Sequence, residues 1–212
     1  MNAAAEFYRG GGVFMHFISL CGLYILGVTI YKFIFLLGKF NTNGPNLMKQ
    51  IQKLVMANNV DKAIKLCTAT GDSALGNVMK AGLSRANRGE LEIQNAIEEK
   101  TLEVTPKITK LVDSVLVFGN IATFLGLLGT IFGLIEAFEA VAHAAPEQKS
   151  AMLAQGIAMA MNTTGYGLII AIPANFFGVI MKGFVNKLLS ELDLYSVKLV
   201  NLLVSREKGA AK

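Results

Sequence analysis

The chain has 212 residues, 53% of them hydrophobic and only 17% charged, with a net charge of +5 and a mean hydropathy of +0.48. Soluble domains carry roughly 25% charged residues, so this deficit, with apolar residues gathered into long blocks, excludes an ordinary water-soluble domain. The basic excess is spread along loops and does not define a nucleic-acid partner; Cys21 and Cys67, far apart, suggest neither a disulfide framework nor a metal pair.

In chain order, residues 1–12 form a short N-terminal segment with one basic residue, Arg9. The first apolar block, 13–37, holds a single charge, Lys32, near its far end. A bilayer span needs about 20 apolar residues at about 1.5 Å each, so this block is predicted to cross. It is too long for a signal-peptide core and no A-x-A site follows, which makes it an uncleaved anchor. His16 and Ser19 lie one turn apart in it, but no orienting acid or oxyanion donor accompanies them, so no Ser–His catalysis is expected.

Residues 38–113 read as a cytoplasmic helical domain. Leu47, Met48, Ile51, Leu54 and Val55 recur at helical spacing behind Pro45, which suits a first turn. Asn59 is placed to cap a second short helix with Ala63, Ile64 and Cys67 on one side. A turn at Thr70–Ser73 precedes Leu75, Val78, Met79 and Leu83. From Glu90 a long helix carrying Ile93, Ile97, Val104, Ile108 and Leu111 is expected to run into the second span, with Pro106 placed to kink it. Glu98, Glu99 and Glu103 read as a solvated face.

The second span, 114–138, is uncharged from Ser114 to Ile135. A short segment, 139–159, leads to a stretch uncharged from Ser150 to Met181. That is longer than a bilayer needs, so the third span is assigned to 160–181. In the tail, 182–212, the stripe Val185, Leu188, Leu189, Leu192, Tyr195, Leu199 and Leu202 predicts a helix fraying from Arg206. Residues 38–113 carry eleven Lys and Arg and the tail six, against Lys149 alone in 139–157. The positive-inside rule then puts the N-terminus and 139–159 outside and the long loop and tail in the cytoplasm. Lys32 would snorkel to the cytoplasmic face.

The second and third spans carry stripes of small residues: Gly119, Thr123, Gly126, Thr130, Gly133 and Ala137, then Gly156, Ala160, Thr163, Thr164, Gly167, Ala171, Ala174 and Gly178. Small residues let helix backbones approach in lipid, where apolar burial gives no drive, so the glycines are read first as packing. Threonines can bond a carbonyl one turn back, or line a narrow polar path whose hydroxyls both donate and accept. Asn120, Asn162 and Asn175 lie nearby, and Pro173 frees a carbonyl inside the third span. Between Ser114 and Ile135, and from Ala160 to Met181, Tyr166 is the one ionisable side chain, whereas a membrane proton relay ordinarily needs a carboxylate or histidine. Glu136 and Glu139 lie at the outer end as a possible mouth, and His143 reads as a surface residue. No Walker A run, HExxH or cysteine metal spacing is present; no enzyme and no cofactor are expected.

The run GLLGTIFGLIEAF, Gly126 to Phe138, followed by GIAMAMNTTGYGLIIAIPANF, Gly156 to Phe176, resembles the MotA/TolQ/ExbB proton-channel family. SALGNVMKAGL, Ser73 to Leu83, is similar to the family's cytoplasmic segment, and three spans with an outside N-terminus resemble its TolQ/ExbB branch. The resemblance implies an all-α inner-membrane subunit forming a homopentameric ring around two single-span TolR/ExbD-like partners. The partner supplies a membrane aspartate, protons are the coupling ion, and the ring's lining maps onto Thr130 and Thr164, with Thr163 beside it. Gly126, Gly133, Asn162, Pro173 and Met159 fall on the same pathway or its packing. Family members commonly carry a glutamate in a G-I-A-E-A pattern where this chain has Met159. A non-conducting scaffold and a sodium-driven unit are the rival readings, and the envelope process driven (import, constriction or surface motility) is left open.

Overall fold

The computed structural model describes residues 2–40, 43–71 and 73–210. The described residues form α-helices throughout: α1 (Asn2–Arg9), α2 (Phe14–Phe40), α3 (Gly44–Met56), α4 (Val60–Ala69), α5 (Ala74–Leu83), α6 (Glu90–Thr109), α7 (Val112–His143) and α8 (Pro146–Ala210). Three segments are long and apolar enough to cross a membrane, within α2, α7 and α8. Two compact units are formed, Met1–Tyr31 with Leu111–Ile180, and Lys32–Lys110 with Met181–Lys212.

In the first unit α7 and α8 run antiparallel. Gly119 faces Ala174, Gly126 faces Gly167, Gly133 faces Ala160, and Ala137 faces Gly156, so one number falls as the other rises. Gly119, Gly126 and Gly133 recur every seventh residue, as do Ala160, Gly167 and Ala174. A seven-residue repeat keeps one seam facing the partner along the helix. At Gly167 a Cβ would stand 2.7 Å from the Ala122 carbonyl, so only glycine allows this approach. The packing expected of the small stripes is therefore realised, with Ala122 and Gly129 also buried in it. Along α2, Ile18 and Cys21 pack on Ala122, with Phe118, Leu125, Tyr166 and Ile170 around them.

The second unit is a helical cluster whose core includes Ile51, Val55, Val78, Met79, Leu83, Ile93, Leu192 and Leu199. Asn43 caps α3 by accepting from the Asn46 N–H at 3.3 Å, and Ser73 caps α5 through the Gly76 N–H at 3.0 Å. Asn59 precedes α4 as expected but makes no side-chain cap; its amide donates to the Ala57 carbonyl instead. Gly89 opens α6 at φ 86, a left-handed conformation that glycine adopts without a Cβ penalty. Glu103 is exposed and accepts hydrogen bonds from Lys100 and Lys107, which hold its carboxyl down at about 2.

Three expectations are corrected. The helix from Glu90 does not run into the second span: it ends at Thr109, and Leu111 adopts φ 71 before α7 begins. Pro106 lies inside α6, and the Lys110 N–H closes onto its carbonyl at 2.9 Å. Lys32 does not snorkel into water; it is 2% exposed and donates to the carbonyls of Lys107 and Ile108, each at 3.2 Å. Those carbonyls have lost their next helical turn, and a helix C-terminus favours a cation. The stretch 139–159, whose secondary structure the sequence leaves open, is helical except at Ala144 and Ala145, between α7 and α8. The tail does not fray at Arg206: α8 continues to Ala210, and the Arg206 guanidinium donates to Asn87 at 2.7 Å. The final two residues, also expected to fray, lie outside the described residues.

Candidate ion pathway

The α7–α8 seam sets the threonines into distinct positions. Thr164 is half-buried, and its hydroxyl crosses the seam to donate to the Gly126 carbonyl at 3.0 Å. The missing side chain of Gly126 lets that bond form, since a Cβ there would stand 3.2 Å from both the Thr163 carbonyl oxygen and the Thr164 Cα. One turn further along α7, the half-buried Thr130 donates to the Leu127 carbonyl at 2.5 Å. In an α-helix the Gly126 carbonyl is also the acceptor for the Thr130 N–H, so one peptide group links the two threonines. Each hydroxyl has committed its proton to a carbonyl and presents lone pairs to whatever approaches. Such a site accepts hydrogen bonds from water, a hydronium ion or an un-ionised carboxylic acid.

Thr163 points elsewhere. It is 1% exposed, with its hydroxyl 3.2 Å from the Gly11 carbonyl and 2.8 Å from that of Met159. It holds the N-terminal turn against α8, and its methyl fills the space beside Gly129. Met159 is half-buried, its methyl against Gly12. Asn162 is half-buried, while Asn120 and Pro173 lie on exposed sides of their helices. Pro173 does not interrupt α8, and Asn175 donates to the Ala171 carbonyl at 2.9 Å. Gly126 and Gly133 are buried in the seam. Glu136, Glu139 and His143 are exposed at the far end of α7.

His16 and Ser19 are drawn to tyrosines and not to each other. The Tyr8 hydroxyl lies 2.8 Å from His16 Nδ1, and the Ser19 hydroxyl 3.3 Å from Tyr8 and 3.0 Å from Tyr166. Phe7 and Tyr8 meet the Tyr166 ring edge-on. This network joins α1, α2 and α8, and Tyr166 was its only member in the third span; sequence spacing links i to i+3 but not residue 8 to residue 166. Among the described residues no group of three or more His, Cys, Asp or Glu is placed to hold a metal ion.

A glycine seam thus joins a pair of membrane-length helices, with two threonines linked through one peptide group and no carboxylate between them. Residues 70–194 match the MotA/TolQ/ExbB proton channel family, and the chain belongs to it. That family comprises channel and motor subunits and not enzymes. The biopolymer transport protein exbB1 of Vibrio cholerae serotype O1 is 38% identical over 84 residues, 40% of this chain and 36% of its own length. A putative biopolymer transport protein ExbB homolog of Methanothermobacter thermautotrophicus is 23% identical over 167 residues, 79% of this chain and 58% of its own. The chain thus spans between about a third and three-fifths of the length of these curated relatives. Both relatives carry ExbB names, in keeping with the TolQ/ExbB branch.

Proposed function

We propose that the chain is the ring-forming subunit of a proton-driven motor in the bacterial inner membrane, converting proton motive force into work on the cell envelope. The observation that carries this reading is the Thr164–Gly126–Thr130 linkage, an acceptor site in a helix pair that holds no ionisable side chain but Tyr166 over 114–135 and 160–181. A site of lone pairs without an acid serves a proton only if an acid arrives from elsewhere. The partner that fits is a TolR/ExbD-like single-span protein carrying a membrane aspartate, two copies of which a homopentamer would enclose. Thr130 and Thr164 then receive the protonated aspartate, and Thr163 keeps the neighbouring backbone in place. Gly126, Gly133, Asn162 and Pro173 shape the wall around them. Met159 stands where relatives in this family commonly carry glutamate, so this chain leaves the whole proton-carrying task to the partner.

The N-terminus is assigned to the periplasm on the distribution of Lys and Arg, with spans at 13–37, 114–138 and 160–181 and the second unit in the cytoplasm. Glu136 and Glu139 then flank the outer mouth. The decisive experiment replaces Thr130 and Thr164 by valine, which keeps shape and removes the hydroxyl. Motor function should be lost while co-purification with the partner persists. Full function in the double variant would refute conduction through this site and leave a scaffold whose glycine seam only packs. Replacing sodium by potassium in the medium should leave the motor running; loss of function would make sodium the coupling ion.

A further inference from the structure

The second unit leaves two grooves open along α8, one on each side of its outward face. The first lies between α6 and α8, where Glu90, Glu98 and Asp193 line it beside Leu102 and Val197. The second lies between α3 and α8, where Lys49 and Lys198 line it beside Met48 and Met56. Among the described residues no cation lines the first and no carboxylate the second. Asn201 belongs to both walls and forms the ridge between them.

Helix geometry makes the arrangement two-sided. Leu192, Leu199 and Leu203 bury one side of α8 in the core, so α6 and α3 flank the side left outward. Asp193 and Lys198 are five residues apart, which is about 140° around the axis and about 7.5 Å along it. Leu102, Val197 and Met56 are 67%, 60% and 67% exposed, in the charged unit that the reading above places outside hydrocarbon. Apolar side chains rimmed by polar ones mark a protein contact. Among the described residues Glu98, Asp193 and Lys49 make no ion pair within the chain, so their charges are free to meet another surface. The two grooves share α8 as a wall and cannot meet within one chain. The partner that carries the charge each groove needs is a second copy.

We propose that the α3–α8 groove of one copy docks on the α6–α8 groove of the next, head to tail. Lys49 and Lys198 then face Glu98 and Asp193, with Met56, Leu102 and Val197 closed between them. Opposite charges orient such a contact and exclude wrong pairings, and the flexible methionines fill it. A contact between two different patches adds copies in one direction and closes into a ring where the rotation allows. Docking directions about 140° apart, instead of opposed, turn successive copies about a common axis. The contact rests on the ring-forming role proposed above and names the surface that builds the ring; it depends neither on conduction nor on the coupling ion.

Gln94 lines the acidic groove and Gln52 the basic one, and both are exposed. Purified full-length Gln52→Cys/Gln94→Cys protein is treated with a flexible bismaleimide, with the parent chain and its buried Cys21 and Cys67 as background. The double variant should give a ladder reaching beyond the dimer, and each single variant none. Adding Lys49→Glu and Lys198→Glu should abolish the ladder, and adding Glu98→Lys and Asp193→Lys as well should restore it. Linking that stops at the dimer, that appears in a single variant, or that ignores the charge reversals would overturn the contact. The native mass of the parent chain keeps the two readings apart: a ring without a ladder overturns this contact alone, and a monomer overturns the ring and the contact with it.

Discussion

Gly167→Ala is the sharpest test of the seam on which the candidate pathway rests. The added Cβ would stand 2.7 Å from the Ala122 carbonyl oxygen and 3.2 Å from the Gly126 Cα. Ordinary contact begins at 3.4 Å, so α7 and α8 must separate locally by about 0.7 Å, and the obstacle is backbone that no rotamer change can move. Overpacking of this kind costs about 1–3 kcal/mol. The same separation stretches the 3.0 Å Thr164–Gly126 hydrogen bond, worth on the order of 0.6 kcal/mol across membrane helices. The expected destabilisation is therefore roughly 1.5–3.5 kcal/mol, read from thermal unfolding in detergent by circular dichroism. Gly27→Ala is the control, because nothing lies within 4 Å of its added Cβ. It should be neutral or stabilising by up to about 1 kcal/mol, as alanine is the better helix former. A Gly167→Ala protein as stable as the Gly27→Ala control would refute the close seam.

Two further outcomes follow from the second unit. Lys32→Met leaves the Lys107 and Ile108 carbonyls without their ammonium donor, and hydrogen bonds to charged groups are worth about 1.5–3 kcal/mol; amide exchange over 106–112 should accelerate, and unchanged exchange would dismiss Lys32 as the cap of α6. Burial pushes the Cys67 thiol from 9.0 up to about 11, so the native state holds the neutral form where the unfolded chain is already ionising. Its stabilisation is complete below pH 9 and lost as pH rises from 9 to 11. Cys67→Ala should flatten the decline in unfolding stability across that window relative to the parent chain, and equal slopes would count against the buried thiol.

Composition and the length of apolar runs were enough to determine three candidate membrane helices, because the cost of burying charge in lipid is written directly into which residue types are absent. The packing role of Gly119, Gly126 and Gly133 was equally legible, since small residues in lipid have one main use. The motif around Thr130 and Thr164 gave the family. Other features depended on partners distant in the chain. Nothing near Lys32 in sequence announces the open carbonyls of Lys107 and Ile108, because they exist only where α6 stops at Lys110–Leu111. Thr163 and Thr164 are adjacent and chemically identical, yet a helix turns about 100° between them. That rotation sends one hydroxyl to the Gly11 and Met159 carbonyls and the other across the seam to Gly126. Periodicity along a single helix cannot decide which neighbour each will meet. Which residues of α2 meet which of α7 is likewise a tertiary fact: each helix alone reads as an apolar run, and only the fold brings Tyr24 to Ser114 and Phe14 to Phe132.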